Sequence, residues 1–138
     1  MAGRLRLELA TPTRLVVSEE VDEVVVPGIE GYFGVLPGHA PLLAQVGVGE
    51  VMYRAGRAER RLAVSGGFAE VGSDRVTVLA ETAERPDELD VGRARRARER
   101  AEGRLAPRGG EDVDYPRALA ALARAQSRLQ VASRPPGN

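Results

Sequence analysis

Several residue types that support common protein chemistries are absent from this chain of 138 residues or nearly so. There is no cysteine, which excludes disulfide frameworks, thiolate metal sites and cysteine nucleophiles. The single histidine, His39, excludes a metal site built from several histidines. Every basic residue is arginine, so no lysine is present for a phosphate loop, a Schiff base or a general base. We therefore expect a protein without catalytic residues and without a bound metal.

Aromatic residues and long hydrophobic runs are also scarce. Three Tyr, two Phe and no Trp do not build a stacking platform for nucleic acid, so no nucleic-acid partner is expected. No apolar run approaches the ~18 residues that indicate a membrane span. Residues 1–9 have the pattern of neither a signal peptide nor a transit peptide. These absences predict no direct membrane insertion and a bacterial cytosolic compartment.

The charges balance over the whole chain, with 20 basic and 20 acidic residues, but they are unevenly distributed. Residues 1–86 contain 9 Arg and 12 acidic residues, whereas residues 87–138 contain 11 Arg and 8 acidic residues. Valine, glycine and turn residues dominate the first part, and alanine and arginine dominate the second. This change predicts two domains, one over residues 1–86 and the other over residues 87–138.

The first part has the pattern of an all-β sandwich. Leu5, Leu7 and Leu9 alternate with polar residues, as expected for a half-buried strand. Turn residues recur about every 8–12 residues, and no helical period intervenes. The glycine pair Gly66-Gly67 is one of these predicted breaks. Strands are predicted over residues 5–9, 15–17, 21–26, 32–36, 42–46, 48–53, 60–64, 68–71 and 75–80.

The second part predicts an antiparallel hairpin of two α-helices. Asp87 is the expected N-cap of the first helix, and Asp112 or Asp114 that of the second, with a break over residues 107–110. The apolar positions share a spacing of three and four residues: Ala94, Ala97, Ala101 and Leu105, then Ala118, Leu122, Ala125, Leu129 and Ala132. Because alanine buries little area, we expect a marginal hairpin that requires the sandwich, a ligand or a partner.

Five separated stretches resemble the ε subunits of F-type ATP synthases, and the resemblance runs from about residue 4 to residue 133. The stretches span residues 27–43 (PGIEGYFGVLPGHAPLL), 63–71 (AVSGGFAEV), 76–83 (VTVLAETA), 89–94 (LDVGRA) and 112–115 (DVDY). The resemblance implies a non-catalytic subunit of the rotating central stalk, with a β-sandwich and a helical hairpin. It also implies a peripheral location on the cytoplasmic face of the bacterial plasma membrane.

The resemblance further implies partners and regulation. The sandwich would bind the γ subunit and the ring of c subunits. The hairpin would either fold against the sandwich or extend toward the catalytic head of α and β subunits, where it inhibits ATP hydrolysis. No cofactor is required, although ATP binds the folded hairpin in some members. Many members have a charged or polar residue in the segment that would face the rotor, whereas this chain has Tyr32 there.

The residues implied at the rotor interface are Gly31, Tyr32, Phe33, Gly34 and His39. Their composition is also typical of a rigid turn, since glycine adopts unusual backbone angles and proline fixes corners. The two roles are compatible. For His39, a hydrogen-bonded turn or interface residue is favoured over a pH sensor or general base, because the chain offers no catalytic partner for it.

The nucleotide residues implied by resemblance are Glu84 and Asp90 for the ribose or adenine, Leu89 and Ala94 for the base, and Arg93, Arg100, Arg124 and Arg128 for the phosphates. Guanidinium groups suit phosphates well. The same LDVGRA run is found in members that bind ATP weakly, so a structural role stays open. Asp90, in the first helical turn, would interact favourably with the helix dipole.

Two other classes of function remain as alternatives. A stand-alone ATP-binding sensor would use the nucleotide residues but would not require the rotor segment. An enzyme would require a nucleophile with its base, a metal cluster or a phosphate loop, and the sequence offers none of these.

Overall fold

Eight strands precede two helices in the computed structural model, which describes residues 4–106 and 113–133. The strands are β1 (Leu5–Ala10), β2 (Leu15–Val21), β3 (Glu23–Gly28), β4 (Gly31–Val35), β5 (Leu42–Gln45), β6 (Val48–Ala55), β7 (Ala58–Val71) and β8 (Arg75–Glu84). A 3₁₀ turn (Pro86–Glu88) leads to α1 (Val91–Leu105) and α2 (Tyr115–Ser133). The predicted β-sandwich followed by a helical hairpin is confirmed.

The strands form one hydrogen-bonded path that folds back into two layers. The order is β2-β1-β8-β7-β6-β3-β4, and β5 pairs with β7. Only β1 and β8 are parallel among these pairs. β2 also contacts β6 without pairing with it, across the core. The alternating Leu5, Leu7 and Leu9 are fully buried in this core, together with side chains such as Val51 and Tyr53.

One predicted boundary is wrong, because Gly66-Gly67 does not end a strand. β7 continues through both glycines and changes partners at this point. Before the pair, Val48–Ala55 of β6 lies beside it; after the pair, Leu42–Gln45 of β5 does. Both glycines have positive φ, 68° and 106°, so the strand turns a corner between the two layers.

The predicted start of the first helix is also shifted. Asp87 lies in the 3₁₀ turn, and Asp90 is the N-cap of α1, where its carboxylate accepts the Arg93 N–H at 3.0 Å. The Asp114 carboxylate accepts a hydrogen bond from the Arg117 N–H at 3.1 Å, directly before α2. Asp114 is one of the two residues that were predicted to cap this helix. Asp112 and the predicted break at 107–110 lie outside the described residues.

The helices pack on each other and α2 also packs on the sandwich. Ala94 and Ala101 of α1 are buried, as are Ala118 and Ala125 of α2. α2 contacts β6 and β7, and Ser127 and Val131 are buried in addition to the two alanines. Of the other predicted seam positions, Ala97, Leu105, Leu122, Leu129 and Ala132 are half-buried. The contact surfaces are therefore close but small, as the alanine content predicts.

Candidate functional site

The residues predicted to face a rotor lie on β4 and the turn that follows it. Gly31, Tyr32, Phe33 and Gly34 belong to β4, at one end of the strand path. His39 lies in the turn, where its Nδ1 is 2.6 Å from the carbonyl oxygen of Ala40. The Gly38 N–H donates to the Ser73 carbonyl at 2.6 Å, which fastens this turn to the one between β7 and β8. The turn that follows β4 is therefore held in place by hydrogen bonds.

An apolar surface adjoins this segment, and sequence reasoning missed it. Leu43 is 69% exposed, Phe68 55% and Leu79 57%, and Phe68 pairs directly with Leu79 across β7 and β8. Ile29 and Leu42 are also exposed and line, with Tyr32 and Phe33, a groove of about 450 Å³. We refer to Ile29, Leu42, Leu43, Phe68 and Leu79 as the apolar surface. Contiguous exposed hydrophobic residues of this kind mark interaction sites.

The signal for this surface was present in the sequence. Phe68 lies directly before the buried Ala69, and Leu79 lies between the buried Val78 and Ala80. Strand side chains alternate between faces, so both faces of β7 and β8 are apolar here. A strand with two apolar faces needs a cover on each side, and the core supplies only one.

The crevice between α2 and the sandwich brings three of the eight predicted nucleotide residues together. Glu84, Arg124 and Arg128 line it, and Arg128 Nε donates to Glu84 Oε1 at 2.6 Å. The cavity volume of the crevice is about 10 Å³, far below the ~300 Å³ at the lower end of the range for ligand pockets. Its remaining lining residues are Ala63, Val64, Ser65, Thr82 and Ser127.

The other five predicted nucleotide residues do not line this crevice. Arg93 and Arg100 are exposed on α1, and Asp90 serves as the N-cap of α1. Ala94 is buried and Leu89 is half-buried. The arginines of α1 and α2 therefore do not converge on one point in this conformation, and a bound triphosphate would need the crevice to widen.

The linker between the sandwich and α1, residues 85–88, is anchored to β2 and its preceding loop. Arg14 forms two contacts with the Glu88 carboxylate, at 2.7 and 2.9 Å. Arg85 donates from its guanidinium to the Val16 carbonyl at 2.8 Å and to the Tyr53 hydroxyl at 3.4 Å. The Arg85 N–H also donates to Glu88 at 2.9 Å. Arg14 and Glu88 are 74 residues apart, so sequence periodicity gave no sign of this anchor.

These contacts shift the pKa values of the side chains that hold the linker. The hydrogen bond from Arg14, with that from the Arg85 backbone, lowers the pKa of Glu88 from 4.5 to about 2, and the same carboxylate raises the pKa of Arg14. Burial raises the pKa of Tyr53, and the Arg85 contact opposes this rise. Because the Glu88 pKa is depressed on folding, its stabilisation is complete above pH 4.5 and is lost as the pH falls through about 2.

Neither a metal cluster nor a membrane-spanning helix is found within residues 4–106 and 113–133. No group of three or more His, Asp or Glu side chains in these ranges is placed to hold a metal ion. No helix in them is long and apolar enough to cross a membrane.

Comparison with known families gives the class of protein. Residues 4–86 match the family described as ATP synthase, Delta/Epsilon chain, beta-sandwich domain. Residues 87–133 match ATP synthase, Delta/Epsilon chain, long alpha-helix domain. The two matches together span residues 4–133, and the chain belongs to the delta/epsilon family of ATP synthase subunits.

Individual relatives narrow the assignment from the delta/epsilon family to the epsilon chains. The ATP synthase epsilon chain of Nitratidesulfovibrio vulgaris is 52% identical over 131 residues, which cover 95% of this chain and 97% of that one. The epsilon chain of Moorella thermoacetica is 54% identical over 129 residues, 93% of this chain and 96% of that one. The resemblance to F-type epsilon subunits drawn from the sequence is therefore confirmed.

Two solved structures share the fold. A chain of the Euglena gracilis mitochondrial ATP synthase, in an assembly of OSCP, F1 and c-ring, aligns with a TM-score of 0.81 and 23% identity, covering 96% of this chain and 82% of that one. A chain of the Tetrahymena thermophila mitochondrial ATP synthase central stalk and c-ring aligns with a TM-score of 0.55 and 12% identity, covering 96% of both chains.

Proposed function

We propose that this subunit is a non-catalytic part of the central stalk and that the apolar surface, with β4, binds the γ subunit and the c-ring. The observation that carries the proposal is the apolar surface itself, which leaves four large side chains, those of Ile29, Leu43, Phe68 and Leu79, more than half exposed on a folded sandwich. The epsilon relatives and the stalk and c-ring assemblies of the structural neighbours support it. The subunit would then lie at the periphery of the membrane, on the cytoplasmic side.

Substitution within the apolar surface tests the assignment. We expect the double variant Leu43→Ser, Phe68→Ser to reduce co-purification with γ and c subunits from native membranes by at least about tenfold, since each buried large side chain contributes ~1.5–3 kcal/mol. Leu15→Ser is the matched control, because Leu15 is equally exposed but lies on β2, at the other end of the strand path. Undiminished co-purification of the double variant contradicts the assignment of the interface to the apolar surface, whereas free monomer alone with the native sequence favours the stand-alone sensor.

We further propose that the hairpin inhibits ATP hydrolysis when it leaves the sandwich and extends toward the α and β subunits. α1 supports this role, because Arg93, Arg95, Arg96, Arg100 and Arg104 are all exposed and form a basic helix. A basic helix is suited to an acidic partner surface. The small alanine contacts between α1, α2 and the sandwich favour a conformation with only a modest free-energy advantage over others.

ATP is proposed as a ligand that favours the docked hairpin. Arg124 and Arg128 already face the crevice beside Glu84, and widening of the crevice would admit Arg93 and Arg100 to the phosphates. The Arg128 pair with Glu84 would separate in that step, so Arg128 would exchange a carboxylate for a phosphate. A ligand that binds only the docked form stabilises it in proportion to its concentration over its dissociation constant.

Calorimetric titration of the isolated protein with ATP tests this proposal. We expect saturable binding at cellular ATP concentrations and its loss in the double variant Arg93→Ala, Arg124→Ala. Arg96→Ala is the matched control, because it removes an exposed arginine of α1 that is not among the nucleotide residues. If titration of the native protein with ATP gives no heat of binding, the LDVGRA run has only a structural role, in which Asp90 is the N-cap of α1.

A further inference from the structure

A single peptide unit of β6 is hydrogen-bonded both to β4 and to α2. The Glu50 N–H donates to the Tyr32 hydroxyl at 3.1 Å. The carbonyl of Gly49, in the same peptide unit, accepts from Ser127 Oγ of α2 at 2.9 Å. Ser127 is 8% exposed, so its contact is shielded from water. Tyr32 and Ser127 are therefore linked through the atoms of one amide.

The surroundings show why this peptide unit is open to both partners. The pairing of β3 with β6 extends only to Val25 and Met52, so β3 does not pair with Gly49 or Glu50. Gly49 is paired with Val64 and Glu50 with Ala63, and both of these partners line the crevice under α2. This part of β6 therefore lies beside the crevice that α2 covers.

Gly49 lets the Tyr32 side chain approach the strand closely. A Cβ at position 49 would collide with the Tyr32 hydroxyl and would lie 2.8 Å from Pro27 Cβ. The atoms nearest to that position belong to Tyr32 and Pro27 and none belongs to α2. A change at Gly49 therefore acts first on Tyr32.

The chemistry of an amide couples its two ends. Donation from the N–H increases the negative charge on the carbonyl oxygen of the same unit, which makes that oxygen a better acceptor. The two hydrogen bonds also fix the orientation of the same peptide plane. Loss of the Tyr32 contact should consequently weaken the Ser127 contact, and the reverse holds by thermodynamic linkage.

We propose that Tyr32 is a positioning residue that couples β4 to the docking of α2 through the Gly49–Glu50 peptide unit. Tyr32 is itself 58% exposed, so a partner that covers β4 can move it. Displacement of its hydroxyl loosens α2, and immobilisation of it strengthens the docked form. The coupling is a property of the isolated chain, and only its use by a rotor partner rests on the proposed function.

A double-mutant cycle on the isolated full-length protein tests the coupling. The readout is hydrogen exchange of the α2 amides, with those of β7 and β8 as an internal reference for the sandwich. Tyr32→Phe removes the hydroxyl and keeps the ring. We expect it to accelerate exchange in α2 relative to the reference amides, by at most the roughly two- to tenfold that complete loss of the Ser127 hydrogen bond would give.

The decisive comparison is the effect of Tyr32→Phe in a Ser127→Ala background, where we expect an acceleration smaller by at least about twofold. Thr82→Val supplies the control background. It removes the hydroxyl contact of Thr82 with Ser65, 2.6 Å long, which lies in the same crevice and does not involve the peptide unit. There the full effect of Tyr32→Phe should persist. An equal effect in the Ser127→Ala background, or no effect at all, overturns the proposal.

A second variant reaches the same contact from the other side. Gly49→Ala retains both hydroxyls and displaces the Tyr32 ring, so it should also accelerate exchange in α2. Addition of Tyr32→Phe to Gly49→Ala should then change little, because the contact is already lost. Full additivity of these two substitutions contradicts the coupling. Neither readout requires rotor partners or ATP hydrolysis, so failure here is distinct from failure of the proposed function.

Discussion

Deletion of residues 90–138 is expected to leave a folded sandwich that assembles into the enzyme and to raise the rate of ATP hydrolysis severalfold. The core explains why the sandwich persists, because all of its buried residues lie between Leu5 and Ala83. The truncated chain keeps the Glu88 anchor. The face uncovered by removal of α2 carries small or polar side chains such as Ala63 and Ser65, so little apolar area is newly exposed. The measurement is ATPase activity of the purified complex, normalised to the subunit present.

The outcome separates assembly from inhibition. Equal amounts of the truncated and full-length subunits in the complex show that the sandwich suffices for assembly. Unchanged hydrolysis at equal occupancy contradicts an inhibitory hairpin. As a finer control, full-length chains with Arg93, Arg95, Arg96 and Arg100 changed to Glu should also relieve inhibition if the basic face of α1 contacts an acidic surface.

Gly67→Ala is expected to destabilise the sandwich by about 3–5 kcal/mol, a large part of the ~5–15 kcal/mol stability of a typical domain. Gly67 has a φ of 106°, which residues with a side chain rarely adopt. A Cβ there would collide with the carbonyl group of Leu79 and lie 2.9 Å from Ala80 Cα. Both neighbours are backbone atoms of the paired β8, so neither can move alone. Thermal unfolding followed by circular dichroism should show a Tm lower by more than ~10 °C.

Gly56→Ala is the matched control for this prediction. Gly56 also has a positive φ, 63°, but a Cβ there would have no atom within 4 Å. The control should cost only the ~1–2 kcal/mol of the left-handed conformation. The difference in destabilisation between the two variants measures the contribution of the steric clash between the added Cβ and β8. Equal costs indicate that β7 and β8 can move apart at the corner, and then the corner does not depend on glycine.

The sequence predicted the fold wherever a local pattern was sufficient. Alternation identified β1, because Leu5, Leu7 and Leu9 are buried on one side. The small residues at positions 94, 101, 118 and 125 are the buried positions of a hairpin. The local pattern wrongly predicted the end of a strand at Gly66-Gly67. The positive φ that glycine allows is equally compatible with a turn and with a corner inside a strand. The local pattern also favoured Asp87 over Asp90, because both are acidic residues that can cap a helix.

The candidate sites were less predictable, since they depend on contacts between distant segments. Nothing near Arg14 indicates that it binds Glu88, and nothing near Ser127 indicates that it binds Gly49. The apolar surface was recoverable in principle from strands with two apolar faces. The residues assigned to the nucleotide and to the rotor came from the resemblance, and their roles stay predictions.

The Arg14–Glu88 anchor sets the reach of an extended hairpin. It holds the linker on the sandwich through contacts of 2.7 and 2.9 Å, so any swing of the helices has its fixed point at Glu88. At 1.5 Å per residue, the 15 residues of α1 span roughly 22 Å and the 19 of α2 roughly 28 Å. Fully extended from that point, the two helices would together form a two-segment arm of about 50 Å. Surfaces touched by α1 would then lie in the inner half of that radius, and only the arginines of α2 would reach the outer half.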